Sequence, residues 1–149
     1  MPKPISPHDP RLAAWAAFLR AHARIVRRLE AELQAEQDLA LTDYDVLVQL
    51  AQAGDRRLRM SELADRLMLS RSGATRLVDR LVAAGLVERV TCDDDRRGQW
   101  ASLTDAGHDR LRRASPTHLR GVGEHFLDRL SADDLQGLGR IFTRLGDEG

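Results

Sequence analysis

Leu12, Trp15, Leu19, His22, Val26, Leu29 and Leu33 recur at alternating spacings of three and four residues. That heptad seam predicts a helix of some 22 residues, about 33 Å long. A seam of this kind packs against another long helix. Phe18 and Ile25 add a second apolar edge, wide enough to touch two neighbours. The short helices expected between about residues 42 and 84 are too small to cover such a stripe. A chain of 149 residues is therefore one compact domain or one subunit that needs a partner. It can bury roughly 70% of its unfolded surface, and no disulfide or metal is required for folding. Residues 1–10, rich in proline, read as an extended arm.

The 42% apolar and 31% charged fractions are those of a soluble globular protein. No apolar run approaches the ~20 residues of a membrane span, and the first residues lack a signal-peptide core. With Cys92 as the single thiol, the expectation is a cytoplasmic protein without a membrane partner. Twenty-three basic residues balance 23 acidic ones, which excludes a uniformly basic nucleic-acid binder but not a local basic surface. All but Lys3 of the basic residues are Arg, the side chain whose planar fork fits phosphates and guanine edges; genome composition accounts for such a skew as well. Trp15 and Trp100 stand out in a chain that is 4% aromatic.

Along the chain, a second helix is predicted to start at Thr42, with Asp45 as its capping-box acid, and to end near Gly54. A short helix follows from Met60. Ser70 is a good N-cap for a helix over 71–84 that Gly85 stops. The period then changes from helical to alternating. Residues 86–92 read as a strand, 93–98 as a turn and 99–103 as the returning strand. Thr104 caps a long helix expected to kink at Ser115-Pro116, and Ser131 with Asp134 opens the last helix, whose apolar face is Leu135, Leu138, Ile141, Phe142 and Leu145. The predicted class is mainly α (α+β): a winged helix-turn-helix with a two-stranded wing over residues 37–104, flanked by long terminal helices.

On a wheel of residues 71–84, Ala74, Leu77, Val78 and Leu81 share one side. Ser72, Thr75, Arg76 and Asp79 lie nearly opposite, flanked by Arg71 and Arg80. Short hydroxyls and one Arg near the N-terminal half suit a major groove: Arg76 can grip guanine, and Ser72 and Thr75 can reach a base edge or phosphate. Gly73 would let the backbone approach phosphates. An ordinary solvated face is the bland alternative, and basic faces are common. The hairpin tips the balance, because Arg96 and Arg97 at its tip can reach an adjacent minor groove, with Asp95 placed to orient Arg97.

Glu62-Leu-Ala, Leu69-Ser-Arg-Ser-Gly-Ala-Thr-Arg-Leu-Val-Asp-Arg-Leu, Gly85-Leu-Val-Glu-Arg, Asp95-Arg-Arg and Leu103-Thr-Asp-Ala-Gly together resemble the MarR family of bacterial transcriptional regulators. Phe18-Leu-Arg-Ala-His22 and Pro116-Thr-His118 are similar to its actinobacterial branch. The resemblance spans about residues 12–146. It implies a homodimer joined through helices in 11–36 and 105–149, binding a pseudo-palindromic double-stranded DNA operator as a repressor. The family's reading positions fall on Ser70, Arg71, Ser72, Thr75 and Arg76, and its wing arginines on Arg96 and Arg97. Where many members carry Ser or Thr before the third helix this chain has Arg59, a candidate phosphate contact.

Members often respond to a small aromatic or phenolic ligand, for which Trp15 and His22 are candidate contacts; large aromatics more often serve as packing. No metal site or cofactor is expected. His118 and His125 are not at ligand spacing with any Cys/His cluster. Cys92 is a candidate oxidant sensor, but a silent thiol is the simpler reading. No phosphate loop, Gly-x-Ser-x-Gly elbow or His-Glu-x-x-His motif points to an enzyme. A winged helix used only for protein interaction is the remaining alternative.

Overall fold

The computed structural model describes residues 4–91 and 98–146. The order is α1 (Leu12–Gln37), α2 (Leu41–Gln52), β1 (Arg57–Arg59), α3 (Met60–Arg66), α4 (Arg71–Ala83), β2 (Val87–Thr91), β3 (Gln99–Leu103), α5 (Asp105–His125) and α6 (Ala132–Gly146). Two compact units are distinguished, Glu32–Leu119 and Met1–Ala31 with Arg120–Gly149.

Glu32–Leu119 carries the winged helix-turn-helix. Its core is built from Leu33, Val46, Leu47, Leu50, Leu63, Val78, Leu81 and Val87, all essentially inaccessible to solvent. The wing sheet has three strands rather than two, in the order β1-β3-β2, with both pairings antiparallel. The added strand, β1, is too short to show a period in sequence and exists through pairing with β3 (Arg57 opposite Ser102, Arg59 opposite Trp100). Alternation then buries Leu58 and turns Arg57 and Arg59 to the other face.

Two helix starts differ from expectation. Ala40, not a hydroxyl residue, precedes α2, and no side chain caps it; Thr42 and Asp45 lie inside the helix. Buried Leu39 and the packing of Leu41 on the core fix the chain's entry instead. α5 runs through Pro116 as one helix rather than being interrupted. The bond lost at Pro116 falls on the exposed side, at Arg112, where water can replace it. The opposite side is tied down: the Tyr44 hydroxyl donates to Ser115 Oγ at 3.3 Å, and Gln37 Nε2 donates to Thr117 Oγ1 at 2.9 Å. The His118 ring lies 4.5 Å from that of Tyr44, and burial lowers the His118 pKa.

Thr104 caps α5 as expected, accepting from the Gly107 N–H at 3.0 Å and donating to the Gly85 carbonyl at 2.8 Å. Gly85 sits at φ +75°, and the Leu86 N–H closes α4 on the Leu81 carbonyl. Between α3 and α4 the same left-handed stop is made by Met68, at φ 55° and 92% exposed.

In Met1–Ala31 with Arg120–Gly149, Leu29 is the one buried large apolar side chain among the described residues. Trp15, Phe18, Leu19, Ile141, Phe142 and Leu145 are all exposed. The Phe18 ring stands about 6 Å from those of Trp15, His22 and Phe142. Ser131 and Asp134 form the expected capping box: Ser131 Oγ accepts from the Asp134 N–H at 3.1 Å, and the Asp134 carboxylate accepts from the Ser131 N–H at 3.0 Å and hydroxyl at 2.8 Å. Those bonds hold the Asp134 pKa below its ordinary value. Because the folded-state pKa is lowered, the stabilisation is complete above the ordinary Asp value and is lost as pH falls through the lowered one. An NMR titration of the Asp134 carboxyl is expected to give a midpoint below about 3.9. A midpoint at or above that value would contradict the box.

Candidate nucleic-acid interface

α4 starts where Ser70 Oγ accepts the Gly73 N–H at 3.1 Å. A Cβ on Gly73 would lie 3.1 Å from that same oxygen, so the glycine leaves room for the cap. Ala74, Leu77, Val78 and Leu81 are buried as the wheel requires. Arg71, Ser72, Thr75 and Arg76 are exposed along the opposite side, and Ser70 and Ser72 share a hydroxyl contact of 3.3 Å.

Toward its C-terminal half the exposed side of α4 is tied to its neighbours. Arg89 of β2 donates to Asp79 at 2.7 Å and also binds Gln99 of β3. Arg80 donates to Asp43 of α2 at 2.5 Å. These ion pairs brace α4 against the sheet and α2. Asp43 went unnoticed in sequence because its partner lies 37 residues away.

Arg59 precedes α3, its backbone N–H 3.4 Å from the Glu62 carboxylate. The chain brings Arg59, Arg71 and Thr75 to one cleft of about 320 Å³, completed by Met60, Ser61, Gly98 and Gln99. Ser72 and Arg76 lie on α4 outside that lining. Arg57 and Trp100 were not singled out for this surface. The guanidinium carbons of Arg57 and Arg59 stand 5.3 and 5.1 Å from the centroid of the half-buried Trp100 ring. Asp95, Arg96, Arg97 and Cys92 lie outside the described residues. Trp15 and His22 are exposed on the other unit. No helix among the described residues is long and apolar enough to cross a membrane.

The family model described as MarR family matches residues 37–98. The transcriptional repressor MprA of Escherichia coli is 36% identical over 80 residues, 54% of this chain and 46% of the repressor, so the match spans less than half of that relative's length. Two solved structures from Streptomyces coelicolor are similar over nearly the whole chain. AbsC, a MarR family transcriptional regulator, has a TM-score of 0.88 at 33% identity, covering 98% of this chain and 97% of its own. Sco3205, a MarR family transcriptional regulator solved in complex with DNA, has a TM-score of 0.89 at 33% identity, covering 99% and 91%. With the ordered helices, the winged sheet and α4 built as described, the chain belongs to the MarR family.

Proposed function

We propose that the chain is a dimeric, sequence-specific DNA-binding regulator of transcription that acts as a repressor. The accessible N-terminal half of α4, with its hydroxyls and Arg76 held over a rigid apolar back, is the observation that carries this reading. The likeness to a DNA-bound regulator supports it, and the likeness to MprA supports repression. In this reading Arg76 contacts a base, Ser72 and Thr75 contact a base edge or the backbone, and Ser70, Arg71 and Arg59 engage phosphates. Arg96 and Arg97 would extend the contact from the wing, with Asp95 orienting Arg97. Arg80, already bound to Asp43, acts chiefly by holding α4 in place.

Dimerisation supplies the cover for the exposed apolar residues of α1 and α6. Trp15 and His22 are assigned to that covered face rather than to an aromatic effector. A twofold dimer places two α4 helices in successive major grooves, about 34–36 Å apart. Arg76→Ala is expected to cost ~1–3 kcal/mol on the specific duplex and much less on a scrambled one. Titration of both duplexes at one salt concentration decides it. Equal losses would reduce Arg76 to a phosphate contact, and no loss on either would remove α4 from the DNA.

A further inference from the structure

We propose that Trp100 is a positioning residue that holds Arg57 and Arg59 as a pair of phosphate-binding cations beside the reading helix. The inference rests on the DNA-binding reading above and adds a second anchoring point to it. Residues 57 and 59 project from the same face of β1, and Trp100 is directly opposite Arg59 in the register. Both guanidiniums lie within cation–π reach of its ring. An indole face attracts a guanidinium while leaving N–H donors at the rim of its plane open to an anion. Ordering two long side chains before binding lowers the entropy lost when a phosphate arrives. Among the described residues the acid paired with Arg57 is Asp55, which stands 3.9 Å away and is itself exposed, too loose a partner to fix the guanidinium. The location also fits a duplex, since Arg59 lines the same cleft as Arg71 and Thr75 at the start of α4.

Trp100→Leu removes no charge, which separates positioning from simple electrostatics. The probe is a duplex from the DNA flanking the protein's own gene, titrated with the full chain over a range of salt concentrations. Arg57→Gln/Arg59→Gln should weaken binding and flatten the plot of log affinity against log salt by about two counterions per subunit. Trp100→Leu should move affinity and slope toward those values, while Trp100→Phe, which keeps a ring face, should stay near wild type. Adding Trp100→Leu to the double Arg variant should produce little further loss. A Leu variant that binds like wild type overturns the inference, as does a Leu loss that adds in full to the double variant. Should Trp100→Leu fail to fold, the double Arg variant still decides, because an unchanged salt slope there overturns the inference. A wild-type chain that binds no duplex overturns the DNA-binding reading and this inference together.

Discussion

Gly107→Ala is expected to be among the most damaging single-methyl additions this fold can receive. A Cβ there would meet the Leu86 carbonyl oxygen at 2.0 Å, the Leu86 carbonyl carbon at 3.0 Å and Leu103 Cδ1 at 2.7 Å. Leu103 can shift, but the Leu86 carbonyl is backbone and already accepts the Thr104 N–H at 3.2 Å. Thr104 also joins the Gly85 carbonyl to the Gly107 N–H, so the start of α5 is fastened to the turn that ends α4. Opening that contact would disturb both helices. Overpacking costs ~1–3 kcal/mol where side chains yield, and a backbone clash belongs at or above the upper end. Against a total stability of about 5–15 kcal/mol, a fall in melting temperature of about 10 °C is expected. Gly139→Ala is the control, since a Cβ there meets nothing within 4 Å and should be neutral or slightly stabilising. Equal melting temperatures for the two variants would show that α5 does not approach Leu86 as described.

The second large effect concerns the uncovered face of α6. Ile141 is 46% exposed and Leu145 74%, although both belong to the apolar stripe of the helix. Because neither is buried within one chain, Ile141→Glu/Leu145→Glu should leave the folded chain intact. In a dimer the same substitution would bury unpaired carboxylates, which is strongly unfavourable. If the proposed dimer forms, analytical ultracentrifugation should therefore show a dimer for the wild type and a monomer for the variant. Affinity for a two-half-site duplex should fall by about 100-fold or more, as the second contact ceases to be intramolecular. A variant that remains dimeric would place the interface elsewhere.

Helix α4 was legible because every signal for it is local. The Ser70 cap, the burial of Ala74, Leu77, Val78 and Leu81, and the left-handed stop at Gly85 all follow from spacing and residue type. The returning strand Gln99–Leu103 and the Ser131–Asp134 box follow for the same reason. What remained hidden depends on partners distant in sequence. β1 is defined by its pairing to β3, and the closeness of Trp100 to Arg57 and Arg59 by the same register. The bracing of Arg80 by Asp43 and the approach of Gly107 to Leu86 are likewise tertiary facts. Met68 takes a left-handed conformation usually filled by glycine, and its residue type gave no warning. At Pro116 the local helix penalty was overridden by the tethers on the opposite side of α5.

The most direct test of the account is the affinity of the wild-type chain for a duplex from beside its own gene against a scrambled duplex of equal length, at two salt concentrations. Tighter binding to the first by about 10³-fold or more, with affinity for both falling as salt rises, is the predicted result. Equal affinity for the two duplexes would contradict base reading by α4, and no salt-dependent binding to either would contradict a DNA-binding role for this chain.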